Sequence, residues 1–282
     1  MNKRTLHWTL AMCLALSLIA CGGGKSSDRP AGTSPATPPA AASTVAAPAT
    51  TGLQTIADMS NAWTALYNQN EKAINEYEGM PILELVTPAT TFITSVQFDM
   101  LNLHKQDGHF EGKLMLAGYQ GFLNKAGPLL TFGYDDKLAK DGFGPLHKAG
   151  DRVVASGSLD LTKGYYVLDM YTERGGKRIF REYSEFKRLG DGSMIALNLG
   201  GQTINMRGDA ELRDHAIYLH NGPGRYDFVT AKGKAGPEFQ AISLAAQGDL
   251  SKEQALELLK GAGYTIEVSG GIRGGKLTLD PK

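Results

Sequence analysis

The chain has 282 residues, with 29 Lys plus Arg against 29 Asp plus Glu, 42% hydrophobic residues and 21% charged ones. That balance leaves no polybasic or polyacidic character to drive it to nucleic acid or to a membrane surface, and the apolar share is that of a globular chain with a core. Two cysteines exclude a disulfide scaffold and a four-cysteine metal site, while 35 glycines announce many turns.

Lys3 and Arg4 precede an apolar run from Leu10 to Ala20, broken only by Ser17. At 1.5 Å per residue that run is too short for a bilayer core of about 30 Å, and it suits a signal-peptide h-region. It ends in Leu18-Ile19-Ala20-Cys21, which resembles the lipobox of bacterial lipoproteins. The resemblance implies removal of residues 1–20 by cleavage between Ala20 and Cys21. It also implies a diacylglycerol thioether on Cys21 and acylation of the new amino group. Cys13 leaves with the signal, so lipid occupies the one remaining cysteine. Loss of Lys3 and Arg4 leaves 27 basic residues against 29 acidic ones. Several acyl chains together make a durable tether. Gly22 rather than Asp follows the cysteine, which in the sorting rule of that family favours the outer membrane. An ordinary secretory signal with a chance cysteine is the alternative.

From Gly22 to Gly52 all but Lys25, Asp28, Arg29 and Val45 are Gly, Ala, Ser, Thr or Pro. Such a segment cannot bury enough apolar surface to offset ordering entropy, so 21–52 reads as the lipidated Cys plus a disordered linker. A single β-rich domain over 53–282 follows.

That domain opens with a helix. Ile56, Met59, Trp63, Leu66, Ala73 and Tyr77 form one apolar stripe, Thr55 with Asp58 caps it, and Gly79 with Pro81 stops it. The period then changes to two. Phe92, Thr94, Val96, Phe98 and Met100 share a strand face, as do Val153, Ala155, Gly157, Leu159 and Leu161. Tyr165–Arg174 and Lys177–Leu189 flank the hairpin signal Gly175-Gly176. Further turn signals are Asp191-Gly192, Gly200-Gly201, Gly208-Asp209 and Asn221-Gly222. Asp135–Gly150 reads as a long loop. Ser251 to Gln254 is a capping box for a second helix with Ala255, Leu258, Leu259 and Ala262 inward. Tyr264–Val268 and Lys276–Leu279 close the chain as a hairpin. About a dozen strands in such order predict a mainly β fold. It is an antiparallel up-and-down meander curled into a barrel or half-barrel, with an N-terminal amphipathic helix and a short helix near the C-terminus.

Chemistry is sparse. Gly270 to Lys276 matches a phosphate-loop spacing, but Leu277 stands where Ser or Thr is needed and no helix can follow. It reads as a glycine-rich hairpin turn. His104 and His109 flank a four-residue loop and are the weak metal candidates, with no third ligand evident. Solvated loop-base histidines are the bland reading. His215 and His220 fall on opposite faces of one strand, and His147 stands in a loop. Six bases between Arg174 and Arg188 (Arg174, Lys177, Arg178, Arg181, Lys187, Arg188) are interleaved with Glu182 and Glu185 beside Glu173. That pattern predicts cross-strand pairing. No catalytic motif is present, and no cofactor is implied.

The Cys-Gly-Gly-Gly start, the Pro/Thr linker and the β-rich body look like surface lipoproteins of the transferrin-binding and factor-H-binding type. Lipoprotein carriers with a half-open barrel are a second analogue; no body motif matches either. The expectation is a non-catalytic binding module, lipid-anchored at Cys21 to the outer membrane on its periplasmic or surface side. Its partner would be an envelope protein, a glycan or an apolar ligand, and not nucleic acid. The alternative is an envelope hydrolase whose site assembles from distant strands.

Overall fold

The computed structural model describes residues 53–75, 106–114, 119–141, 146–204 and 207–281. The signal, Ala20, Cys21, the linker, the expected strand over 92–100 and the helix end at 77–81 lie outside the described residues.

The domain is mainly β. Among the described residues eleven strands run antiparallel in chain order, each bonded to the next. They are β1 (Gly108–Lys113), β2 (Gln120–Ala126), β3 (Leu129–Lys137), β4 (Arg152–Asp160), β5 (Tyr165–Arg174) and β6 (Lys177–Arg188). β7 (Met194–Ile204), β8 (Ala210–Gly222), β9 (Arg225–Gly233), β10 (Thr265–Arg273) and β11 (Lys276–Leu279) complete the meander. Among the described residues no ladder joins β1 to β11, so this is an open, curled sheet and not a closed barrel. β5 and β6 turn on Gly175 and Gly176 at φ 58° and 75°, a left-handed pair that side-chain-bearing residues resist.

Two covers bury the sheet. On the inner face lies α1 (Ile56–Asn68), started by the Thr55/Asp58 capping box. Its Ile56, Met59, Trp63 and Leu66 join Phe132, Leu159, Tyr166, Phe186, Leu219 and Phe228 in one apolar cluster. The Trp63 ring meets Phe186 edge-on at 5.3 Å. α1 stops sooner than the stripe predicts. Buried Asn70 turns its Nδ2 back to the Leu66 carbonyl at 3.4 Å. This competes with the helical ladder and splits off a short α2 (Glu71–Asn75).

The opposite face of β7–β9 is covered by the chain after β9. A 3-10 turn (Gly236–Glu238), α3 (Leu244–Gln247) and α4 (Lys252–Gly261) place Phe239, Ile242, Leu244, Leu250, Ala255 and Leu259 there. They pack over Ile195, Leu197, Leu199, Tyr218, Val229 and Ala231. The Ser251/Gln254 capping box forms as expected. Of the expected inward residues Ala255 and Leu259 are buried, Leu258 is half-buried, and Ala262 is exposed because the helix ends there.

Three turn signals fall inside strands. Gly200-Gly201 lies in β7, Asn221-Gly222 ends β8 just before a Pro223-Gly224 turn, and Gly270-Gly271 lies in β10 ahead of the Gly274-Gly275 turn. At Gly200-Gly201 the reason is space. A Cβ on Gly200 would sit 2.2 Å from the His215 ring, and one on Gly201 would sit 1.9 Å from the Gly236 carbonyl oxygen.

Two outcomes follow from this packing. Trp63→Ala removes a side chain only 1% exposed and should cost about 3–5 kcal/mol, read as a lower denaturant midpoint. Gly201→Ala should unseat the C-terminal cover at a cost of about 1–3 kcal/mol, read as faster proteolysis after Gly236 with the α1 side still protected.

Candidate functional site

Strand register builds one polar set on the inner face. Tyr166, Phe186, Ala196, Leu219 and Phe228 form an apolar row beneath α1. One step along the strands the row becomes Leu168, Ser184, Asn198, Ile217 and Thr230, and the next is Met170, Glu182, Gly200, His215 and Lys232. Asn198 interrupts the apolar run of β7 and is fully buried. Its Nδ2 donates to Ser184 Oγ at 2.6 Å and to Glu182 Oε1 at 3.0 Å. Its Oδ1 can only accept, so His215 Nε2, at 3.3 Å, carries the proton. Burial, with Arg213 adding to it, pushes the His215 pKa down to about 4. The imidazole is therefore neutral at pH 7, lying over Gly200. The arrangement is a hydrogen-bonded chain across three strands, Glu182–Asn198–His215, and its geometry holds polar groups still.

A second set closes the turn between β6 and β7. Ser193 Oγ donates to Asp191 Oδ1 at 2.5 Å, and His220 Nε2 lies 3.1 Å from that Ser193 Oγ. With its only proton committed to Asp191, the hydroxyl must accept from His220. In a nucleophilic triad the imidazole takes the serine proton and the carboxylate holds the imidazole's far nitrogen. Here the order is inverted, and His220 Nδ1 has no partner. Burial, then Arg225, lowers the His220 pKa, and hydrogen bonds from Ser193 lower that of Asp191. The set is a turn lock.

A third set fastens the loop between β3 and β4. Asp151, 3% exposed, receives a two-pronged contact from Arg174 at 2.9 and 2.7 Å, and the Lys148 amide at 2.7 Å. His147 lies in that loop as expected, half-buried, 3.3 Å from Thr172 Oγ1 and edge-on to Phe180.

Of the residues singled out in the sequence, His109 sits in β1. It lies 2.5 Å from Asn124 and 3.2 Å from Glu111 on an exposed face. His104 lies outside the described residues, and among the described residues no three metal-ligating side chains converge. His215 and His220 do face opposite ways. The basic hairpin is paired as expected in kind, but with different acids. Arg174 takes Asp151, Arg181 takes Asp169, and Lys187 takes Asp249, while Arg178 lies over Tyr171. Glu173 pairs with Arg152. Glu185 points into the covered face, fully buried, and accepts from the Tyr183 hydroxyl and the Leu244 amide. An open groove of about 430 Å³ is lined by Gln247, Leu250, Glu253, Gln254, Glu257 and Leu258. Two of its polar groups are engaged within α4, Gln254 with the Ser251 amide and Glu257 with Lys260.

Sequence reasoning missed Asn198 and set Glu185 among the acids that pair with bases, whereas it is buried against Tyr183 and the Leu244 amide. The available signal was one polar residue inside an otherwise apolar stretch from Met194 to Leu199, and an acid flanked by apolar neighbours in register. No family model, curated protein or solved structure matches this chain.

His215 makes stability depend on pH. Its folded pKa lies below the unfolded value of about 6.5, so the unfolded chain binds more protons between the two. The stabilisation is complete above about pH 6.5 and is lost as pH falls toward 4, by about 3 kcal/mol at most. Burial lowers His147 and His220 too, in the same sense. His215→Gln should flatten the fall in denaturant midpoint between pH 7 and pH 4.5; an unchanged slope would contradict this account.

Proposed function

We propose that the chain is an outer-membrane lipoprotein, anchored at Cys21, whose domain is a non-catalytic binding module of the cell envelope. Its ligand is an envelope protein, a glycan or an apolar molecule. The observation that carries the non-catalytic part is the fate of the gathered polar groups. Asp151 and Arg174, Asp169 and Arg181, and Asp227 with Arg225 and Arg273 are closed on one another. Catalysis needs a base and a polarising group turned toward a substrate. A scaffold that closes these acids on its own arginines fits recognition by shape and surface instead.

The anchor part rests on Leu18-Ile19-Ala20-Cys21 and the small-residue tether that follows. A tether of that composition holds a domain near a membrane while leaving it free to meet a partner. Among the described residues no helix is long and apolar enough to cross a membrane.

Expressed in a bacterium with two membranes, the wild-type chain should incorporate labelled palmitate and fractionate with the outer membrane. Cys21→Ser should lose the label and become extractable without detergent. Membrane association unaffected by Cys21→Ser removes the lipoprotein reading. For the binding part, native mass spectrometry of the detergent-extracted protein should show a retained ligand. Turnover of ester, peptide or glycoside substrates that co-purifies with the protein would overturn the non-catalytic reading.

A further inference from the structure

Asn221 at the end of β8 and Tyr226 at the start of β9 stand directly opposite each other in the ladder. Both side chains are wholly buried. Asn221 Nδ2, Asn221 Oδ1 and the Tyr226 hydroxyl have no hydrogen-bond partner in the protein. Three orphan polar atoms thus come from one cross-strand pair, whose flanking positions are Met194 on β7 and Ile272 on β10. Tyr226, Met194 and Ile272 all belong to the apolar cluster under α1. The phenol of Tyr67, from α1, is near enough to Tyr226 to raise its pKa further above the level set by burial.

Orphans of this kind ask for a physical account, because a buried amide or hydroxyl gives up hydration that nothing returns. Leucine would fill the Asn221 volume without that cost. Directly opposed in an antiparallel pair, the two side chains leave the sheet side by side on one face. A carboxamide offers a donor and an acceptor side by side, and a phenol offers either. The strand neighbours Met194 and Ile272 are apolar and the Tyr67 phenol is neutral, which admits a neutral group and rejects a charged one.

We propose that the Asn221–Tyr226 pair is a buried binding site for one neutral group that both donates and accepts hydrogen bonds. Two sources share that chemistry: a solvent water, and the amide or hydroxyl head of an otherwise apolar molecule. The site does not depend on the lipid anchor or on the identity of an envelope partner.

The test compares the full wild-type chain with Asn221→Leu in two measurements. Oxygen-17 magnetic relaxation dispersion counts slowly exchanging internal waters, and native mass spectrometry reads binding of oleamide as the probe. If water fills the site, the wild type shows one more internal water than the variant. If the head of an apolar molecule fills it, oleamide binds the wild type at one per chain and the variant not at all. Either result supports the site. Equal dispersion in both proteins, with no oleamide bound to the wild type, overturns it. Should Asn221→Leu fail to fold, Tyr226→Phe removes a single orphan oxygen and allows both readings to be repeated.

Discussion

From Met194 to Gly201 β7 is buried on both faces, and a strand in that position needs a cover on each side. Its even-numbered apolar residues meet the cluster under α1; its odd-numbered ones meet the turn and helices that follow β9. One cover comes from the start of the domain and the other from near its end. Gly200 and Gly201 are where this two-sided burial is tightest. The first leaves room for the His215 ring on the inner face, and the second lets the Gly236 carbonyl approach the other. In a sheet with one wet face those glycines would weaken the strand. Here the absence of a Cβ is what allows close packing.

The charges follow from the same geometry. The second cover lies over a stretch of sheet that carries Asp169, Arg181 and Glu185, so each must be satisfied as water is excluded. Arg181 grips Asp169 at 3.0 and 2.8 Å, donates to the Phe239 carbonyl at 3.0 Å and lies over the Phe239 ring. Glu185 receives the Leu244 amide and the Tyr183 hydroxyl. Tyr218 reaches the Leu250 carbonyl at 2.6 Å. These contacts orient the cover as well as stabilise it, since apolar burial alone is not directional. Breaking one partner of such a set leaves the other buried and uncompensated, which is the costly event.

Much of the fold was legible because its signals are local. A capping box spans four residues, and those at Thr55 and Ser251 form as the sequence implies. Gly175-Gly176 closes its hairpin because left-handed backbone is a property of the turn itself. Alternation in Val153 to Leu161 places the same face inward as the period of two requires. What failed was the reading of glycine pairs as turns wherever they occur. Gly200-Gly201 and Gly270-Gly271 are glycines for the sake of neighbours on other strands, and no local pattern distinguishes these cases.

The sequence by itself determined the class of fold, the starts of its main helices, the opposition of His215 and His220, and the expectation of a lipid on Cys21. Each depends on residues close together in the chain, through periodicity, capping or a short motif. Only the tertiary structure decided which acid neutralises each base, that β7 is covered twice, that Asn198 joins Glu182 to His215, and that Asn221 faces Tyr226 with neither satisfied. Those facts depend on register between strands and on a cover supplied by residues dozens of positions away. Register is a property of the ladder as a whole: shifting one strand by a single residue would turn every one of its side chains to the other face.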